Sequence, residues 1–366
     1  MVFRQTGQPK FMIALLMGGL AIASGCDNRV SSTAGAQFND QQILIDFADR
    51  VVIPTNQEFA TKAQELSDAV NTFVKSPNDQ TLKAAQEAWV AARSPWEQSE
   101  SFTFGPADSL GYDGALDSWP VNETDLKAII NSKDQLTSDY VQKRQDTEKG
   151  FHVIEYLLFG EDNNKNVADF SQRELEYLQA LSTDFSNVAD QLVTSWTKGI
   201  AGQPAYREVI ATAGESSNST YLTLEAGGQE MVQGIIDSLD EVANEKIAKP
   251  VESKDEKLFE SRFSHNTLND LKSNVKGAQN VYLGRFPDTN TSETGLSAYI
   301  ANVNPDLDAR VKQEFLASLD ALDKIPDPLE ESFNDPKTAD AIQSAKTAII
   351  TLKETMEQEV LPVVKS

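Results

Sequence analysis

Apolar residues recur along the chain at the three- and four-residue spacing of α-helices, and we find no sustained alternation of apolar and polar positions. Three runs of apolar residues each have the spacing of a buried helix face: Ile43, Leu44, Phe47 and Val51; Leu82, Ala85, Trp89 and Ala92; and Tyr221, Leu224, Met231, Ile235, Leu239 and Val242. The first run stands before Pro54. The pattern predicts an all-α protein.

Residues that cap helices indicate where some of these helices begin. The stretch "SQRE", from Ser171 to Glu174, has the spacing of a capping box. Ser94 and Glu97 have the same spacing, and Pro95 stands at what would be the first helical position. We therefore expect one helix to begin near residue 171, and another to break and restart near residue 94.

The segment 200–220 is rich in Gly, Ser, Thr and Pro, and it is the strongest candidate for a domain boundary. A mature chain of about 340 residues is longer than one hydrophobic core usually supports. We expect an N-terminal helical domain over residues 39–200 and a C-terminal one over 201–366. Each is long enough for a four-helix bundle.

The first residues have the layout of a bacterial secretory signal: Arg4, Lys10, the apolar run "FMIALLMGGLAIA" and then "SGC". The apolar run is short for a transmembrane helix. We expect a signal peptide over residues 1–25 and a flexible tether over residues 26–38. These features predict a location on the periplasmic side of the bacterial envelope.

Cys26 is the only cysteine, so it cannot form an internal disulfide. The preceding "ASG" resembles the cleavage site of bacterial lipoproteins, and a lipid attached to Cys26 would anchor the chain to the inner or outer membrane. The alternative is an ordinary cleaved signal followed by a chance cysteine.

The formal net charge is -24. Such a chain repels nucleic acid and anionic lipid surfaces and attracts cations, although solubility or a salty habitat would also account for the charge. Nucleic acid is therefore not an expected partner.

The segment "GFHVIEYLLFG" places two ionisable side chains in an apolar helix. His152 and Glu155 lie three residues apart and share a helix face, while Gly150 would let another element approach. Burying a charge without a partner is costly. Glu-x-x-His pairs hold iron or manganese in helical bundles, and here the order is reversed. The alternative is a buried hydrogen bond between His152 and Glu155.

The segment "AWVAARSPWEQSESFTFGP" carries Glu97 and Glu100 three residues apart, with Arg93 one turn before Glu97. Capping of a new helix would by itself account for Glu97. Glu100 has no such role, and its aromatic neighbours suggest a partly dry site.

The segment "ESRFSHNTLNDLKSNVKGAQNVYLGRF" holds His265, the second of only two histidines, beside Arg262 and Ser264. This placement is compatible with a site and also with chance. Arg262 would alternatively tie the two halves of the chain together through a carboxylate.

Several familiar catalytic motifs are absent from the sequence. It contains no HExxH zinc-protease helix, no GxSxG nucleophile elbow, no phosphate-binding P-loop and no GxGxxG fingerprint.

The segment "GFHVIEYLLFG" resembles the GxHxxE motif of the imelysin family, whose members are also called insulin-cleaving or iron-regulated membrane proteins. The other two segments, together with "LDSWP", are similar to that family's N-terminal and C-terminal blocks. The resemblance implies a two-domain helical protein of the bacterial envelope, linked to iron uptake, with a site between the domains.

By this resemblance, the metal ligands would be His152, Glu155, Glu97 and Glu100. Arg93, Arg262, Ser264 and His265 would complete the site. The chain reads "SHNTL" where the iron-regulated branch has "SDNTH", so His265 replaces an aspartate and Leu268 a histidine. This departure leaves a ligand role for the third segment open.

A hydrolytic zinc site needs about three protein ligands, an open position and a general base, whereas HxxE supplies two ligands. A carboxylate-rich site with one or two histidines suits iron, manganese or calcium. We expect a binding protein rather than a catalyst. Its ligand would be iron, with zinc and calcium as alternative metals, or an iron-bearing molecule.

An envelope iron transporter is the expected protein partner. Two other functions stay open at this point. The first is a metallopeptidase, as the family's other name implies. The second is a structural or partner-binding lipoprotein in which His152 and Glu155 only lock an interface.

Overall fold

A computed structural model describes residues 38, 40–285 and 295–365, and every regular element in this part of the chain is helical. The prediction of an all-α protein is confirmed. The predicted signal peptide, Cys26 and all but the last residue of the predicted tether lie outside the described residues.

The described part of the first half of the chain contains nine α-helices: α1 (Gln41–Phe47), α2 (Ile53–Lys75), α3 (Asp79–Ser99), α4 (Pro106–Ser109), α5 (Tyr112–Asp117), α6 (Glu123–Asn131), α7 (Ser138–Gln142), α8 (Gly150–Phe159) and α9 (Gln172–Thr197). Single 3-10 turns lie at Glu100–Phe102, Asp146–Glu148 and Val167–Asp169.

The described part of the second half contains nine more: α10 (Tyr206–Ala211), α11 (Leu224–Asp240), α12 (Lys249–Ser253), α13 (Thr267–Leu283), α14 (Leu296–Val303), α15 (Pro305–Leu322), α16 (Leu329–Ser332), α17 (Pro336–Thr355) and α18 (Leu361–Lys365). A 3-10 turn lies at Glu256–Leu258. Three π-helical segments, Ala48–Val52, Glu241–Ala248 and Met356–Val360, join α1 to α2, α11 to α12 and α17 to α18.

The long helices pack in two groups of four. Helix α2 lies between α3 and α9, and α8 packs on both of those helices. In the second group α11 and α15 each contact α13 and α17. The groups meet where α3 crosses α13, so the described part of the chain forms one compact unit. The division into domains at residues 200–201 stays a prediction.

Among the described helices, none combines the length and the apolar character that crossing a membrane requires.

Helix α9 begins as expected, because the Ser171 side chain accepts from the amide of Glu174 and the Glu174 carboxylate accepts from the amide of Ser171. The predicted break near residue 94 is wrong. Helix α3 continues through Pro95 to Ser99, and the Glu97 carboxylate pairs with Arg93 instead of capping a new helix. Buried contacts of Trp96 outweigh the backbone bond that proline removes.

Glycine permits the close crossing of α3 and α13. A Cβ atom on Gly277 would lie 2.2 Å from the carbonyl oxygen of Gln98, which is closer than real Cβ contacts allow. Helix α13 can therefore lie against the backbone of α3, and polar side chains of the two helices face each other.

We expect Gly277→Ala to lower the free energy of unfolding by about 1–3 kcal/mol, because the added methyl group forces the two backbones apart. Alanine favours the helix by only about 1 kcal/mol, which does not offset this strain. Urea unfolding measures the difference. The control is Lys276→Ala at the exposed neighbouring position, which should change stability by less than about 0.5 kcal/mol. Unchanged stability of Gly277→Ala would contradict the close crossing.

Candidate metal centre

A buried group of charged and polar side chains lies where the two groups of helices meet. We call it the acidic cluster, and its members are Arg93, Glu97, Glu100, Asp117, His152, Glu155, Lys246, Glu260, Asp270 and Asn274. They come from α3 and the turn after it, the end of α5, α8, the π-helical segment Glu241–Ala248, the loop before α13, and α13 itself.

Helix α8 brings His152 and Glu155 into the cluster. All of its residues except Tyr156 are buried, and the indole of Trp89 donates to the Phe151 carbonyl at 2.9 Å. Gly150 has a φ of +80°, and a Cβ there would lie 2.5 Å from the Leu116 carbonyl oxygen. The expected close approach at Gly150 is confirmed, and the element that approaches is the end of α5.

The two nitrogens of His152 have different surroundings. Nδ1 lies 2.9 Å from Oε2 of Glu155. Nε2 lies 3.1 Å from Oδ1 of Asp117 and 3.8 Å from Oε1 of Glu260, and neither contact has hydrogen-bond geometry. The imidazole is fully buried, and its Nε2 lies at ion-pair distance from both carboxylates without a well-aligned hydrogen bond to either.

Glu155 lies behind the histidine. Its Oε1 accepts from the amide and the hydroxyl of Ser264, both at 2.8 Å, while its Oε2 contacts His152. Both oxygens are therefore engaged within the protein. A carboxylate in this position fixes the ring orientation of a metal-binding histidine.

Arg93 lies at the centre of the carboxylates. Its guanidinium donates to Glu97 and Asp117, and it lies 3.4 Å from Asp270 and 3.5 Å from Glu260. The opposite face of the guanidinium contacts the Phe151 ring, 4.8 Å from its centroid. The sequence predicted that Arg93 lies one helical turn before Glu97. It did not predict the contacts with Asp117, Glu260 and Asp270, which come from three other elements.

Lys246 supplies the second permanent positive charge. Its Nζ lies 3.1 Å from Glu97, 2.9 Å from Glu100 and 2.8 Å from Glu260. The side-chain amide of Asn274 donates to Glu97 at 2.7 Å and to Glu100 at 2.8 Å. The two glutamates are therefore held by residues of the second half of the chain.

The cluster contains six carboxyl groups but only two permanent cations and one imidazole. Burial raises the pKa of Glu97 to about 8 and that of Asp270 to about 6. Burial and the charge of Glu97 raise the pKa of Glu100 well above its usual range. Protons on these groups offset the negative charge that the permanent cations leave uncompensated.

Two other carboxyl groups have lowered pKa values. Burial opposes ionisation of Asp117, but the nearby Arg93 and His152 hold its pKa below the usual range. Burial likewise opposes ionisation of Glu260, and Lys246 and His152 hold its pKa well below normal. Despite burial, the adjacent Asp117 and Glu155 raise the pKa of His152 well above its usual value.

Two overlapping sets of side chains could hold a metal ion. One is Asp117, His152 and Glu260, and the other is Glu97, Glu100, Asp117 and Glu260. Within each set the ligand atoms all lie within 4.8 Å of one another. The combination of imidazole nitrogen and carboxylate oxygen suits iron, manganese and zinc, whereas calcium prefers oxygen alone. The residues present fit a metal ion.

Six of the eight predicted site residues lie in or against the acidic cluster: Arg93, Glu97, Glu100, His152, Glu155 and Ser264. Arg262 lies elsewhere and pairs with Glu161 at 3.0 Å and Glu123 at 3.3 Å, both from the first half. This matches the alternative that Arg262 ties the halves together. Nδ1 of His265 lies 3.5 Å from Glu331.

Sequence reasoning missed Asp117, Lys246, Glu260 and Asp270. Asp117 stands in "LDSWP", and Glu260 opens the third segment, so both lay within stretches that the family resemblance had marked. Lys246 interrupts the apolar face of "EVANEKIA", where a buried lysine implies carboxylate partners. Only the fold brings these four residues together.

A family model described as Imelysin matches residues 52–356. The chain is 40% identical over 324 residues to iron-regulated protein A of Synechococcus elongatus, covering 88% of this chain and 86% of that protein. It is 25% identical over 280 residues to an Efem/EfeO family lipoprotein of Staphylococcus haemolyticus, covering 72% of this chain and 76% of that protein.

Two crystal structures are similar to the fold. An iron-regulated protein A precursor from Parabacteroides distasonis superposes with a TM-score of 0.80 at 26% identity, covering 92% of this chain and 96% of the other. An imelysin-like protein from Psychrobacter arcticum gives a TM-score of 0.69 at 13% identity, covering 89% and 95%, and supports the fold alone.

We expect the free energy of unfolding of the chelator-treated protein to fall as the pH rises from 5 to 8. Unfolded carboxyl groups titrate near pH 4, whereas burial raises the pKa of Asp270 to about 6 and that of Glu97 to about 8. The folded state therefore binds more protons in this window, and stability falls with rising pH. Asp117 and Glu260 are ionised in the folded and the unfolded state across this pH window, so their contribution to the free energy of unfolding does not change with pH.

Urea unfolding at four pH values tests this expectation. Glu97→Gln should make the decline shallower, whereas Glu87→Gln, at an exposed position of the same helix, should leave it unchanged. A stability that rises across the window would refute the account of the charge balance.

Proposed function

Because this chain belongs to the imelysin family, we propose that it binds a metal ion in the acidic cluster and serves iron acquisition at the bacterial envelope. Iron is the proposed cargo. The chain acts as a binding component and not as a catalyst.

The observation that carries this proposal is the position of Nε2 of His152, which is buried between two carboxylates and makes no well-aligned hydrogen bond to either. Most buried polar atoms have aligned hydrogen-bond partners, and one that lacks them usually has a role. This nitrogen faces Asp117 and Glu260, which are the two carboxyl groups whose pKa values are lowered. Ionised oxygens beside a ring nitrogen form a donor set for a divalent or trivalent cation.

We assign Asp117, His152 and Glu260 to the metal ion, and Glu155 to the position behind His152. Glu155 holds the imidazole so that Nε2 points at the two carboxylates. Glu97 and Glu100 would lie beside the ion, because their donor set shares Asp117 and Glu260 with the set that contains His152. Binding releases the proton that His152 carries in the metal-free protein.

The choice of iron rests on the ligand chemistry and on a relative. One nitrogen and several carboxylate oxygens match the ligands that iron takes in helical proteins. The relative from Synechococcus elongatus, at 40% identity, bears the name iron-regulated protein A. Zinc is the main competitor, because it also accepts imidazole and carboxylate ligands.

The envelope location rests on the N-terminal sequence. The charged start, the apolar run and "ASGC" fit a lipoprotein signal with Cys26 as the modified residue. The Staphylococcus haemolyticus relative is named as a lipoprotein. A lipid-anchored protein that holds iron would deliver it to a transporter in the same membrane system.

A peptidase would need a metal ion that a polypeptide can reach. The side chains of Asp117, His152 and Glu260 are at most 9% exposed, and Arg93 and Lys246 lie among them. Such burial suits retention of an ion better than access of a peptide bond.

We expect His152→Ala and Asp117→Asn to abolish high-affinity binding of Fe²⁺ measured by anaerobic titration calorimetry, because each removes a ligand. Glu155→Gln should weaken binding by about 10–100-fold, as is usual for residues that orient a ligand. The control is Asp184→Asn, which changes a buried aspartate of α9 that lies outside the acidic cluster. It should bind Fe²⁺ like the wild type.

A purely structural cluster gives a different result. Wild-type protein would bind no Fe²⁺, Zn²⁺ or Mn²⁺, and His152→Ala would cost about 3–5 kcal/mol of stability, as does breaking a buried pair. Peptide hydrolysis that a chelator abolishes would replace the binding proposal with the peptidase.

We expect Cys26 to be the mature N-terminus and to carry a lipid. Mass spectrometry of the protein isolated from its native membrane should show cleavage before Cys26 and the added mass of acyl chains. Cys26→Ser should release the protein from the membrane fraction. A mature terminus elsewhere, with a free thiol at Cys26, would remove the anchor from the proposal.

A further inference from the structure

The two donor sets of the acidic cluster share two carboxylates. Asp117 and Glu260 belong both to the set with His152 and to the set with Glu97 and Glu100. Carboxylates shared between adjoining positions are the arrangement by which helical proteins hold two metal ions about 3.5–4 Å apart. The backbone and the acidic side chains therefore provide room for two cations.

The second position is already filled by the protein. Nζ of Lys246 lies within 3.1 Å of Glu97, Glu100 and Glu260, which are three of the four carboxylates of the second set. The fourth, Asp117, pairs with Arg93. The Lys246 ammonium thus makes the contacts that a second metal ion would make.

The surroundings of Lys246 keep its ammonium in this place. It belongs to the π-helical segment Glu241–Ala248, and its side chain is only 5% exposed. The neighbouring Ile247 and Val242 are also buried and fix the segment. Lys249 of α12, three residues later, instead lies at the surface and pairs with Glu245.

On the basis of the proposed function, we infer that Lys246 is a built-in cation that occupies the second metal position and limits the centre to one metal ion. The ammonium uses the oxygens of Glu97 and Glu100 and Oε2 of Glu260. The metal would take Nε2 of His152 and Oε1 of Glu260, and it would share Asp117 with Arg93. A centre with a single ion and a fixed ammonium is suited to carrying one ion as cargo.

The test counts metal ions per chain in wild-type, Lys246→Met and Lys249→Met protein. Each is titrated with Fe²⁺ under anaerobic conditions and, separately, with Mn²⁺, and the retained metal is measured by plasma emission. We expect one ion in the wild type and in Lys249→Met, and two ions in Lys246→Met. Lys246→Arg, which keeps the positive charge, should retain one ion.

Other results overturn the inference. If wild-type and Lys246→Met protein both bind one ion with affinities within threefold of each other, Lys246 does not exclude a second ion. If folded Lys246→Met binds none, Lys246 supports the first ion instead. A wild type that binds no metal would refute the proposed function and this inference with it.

A second measurement covers the case in which Lys246→Met does not fold. X-ray absorption of wild-type protein with excess Mn²⁺ reports the neighbours of the bound metal. We expect nitrogen and oxygen ligands without a metal neighbour. A metal–metal vector at about 3.5–4 Å would show that the wild type holds two ions, and would overturn the inference.

Discussion

The electrostatic balance of one buried cluster constrains the rest of the structure. Six carboxyl groups face Arg93, Lys246 and the imidazole of His152 in a region that solvent hardly reaches. Burying a carboxylate without compensation costs several kcal/mol. The protein offsets this cost with two fixed cations and with raised pKa values at Glu97 and Asp270. A bound metal ion would place a further positive centre among these carboxyl groups, and their concentration in one buried cluster is the physical basis of the proposed function.

The helical framework brings these charges together from distant parts of the chain. Gly277 and Gly150 lack a Cβ atom, which lets α13 lie close to α3 and lets α8 lie close to the end of α5. Aromatic side chains then surround the polar centre, with Phe151 packed against both Trp89 and the guanidinium of Arg93. The apolar burial around α8 stabilises the fold while holding the polar side chains in one orientation. The same packing gives His152 its fixed geometry and excludes water from it.

Local features of the sequence were sufficient to predict the helices, the capping box at Ser171 and the shared helix face of His152 and Glu155. They failed at Pro95, because tertiary contacts of Trp96 and the Arg93–Glu97 pair maintain a helix that local signals would end. Asp117, Lys246 and Glu260 were missed for a different reason. Their importance depends on which distant carboxylates and cations they face, and periodicity along one helix contains no information about such neighbours.

The central claim is that Nε2 of His152 is a ligand for iron. Diffraction from crystals grown with iron, recorded on both sides of the iron absorption edge, tests it most directly. The account predicts one anomalous peak within bonding distance of Nε2 of His152, with Asp117 and Glu260 as neighbours. It would be contradicted by the absence of a peak, accompanied by a direct hydrogen bond from Nε2 to Asp117, or by a peak at a position remote from His152.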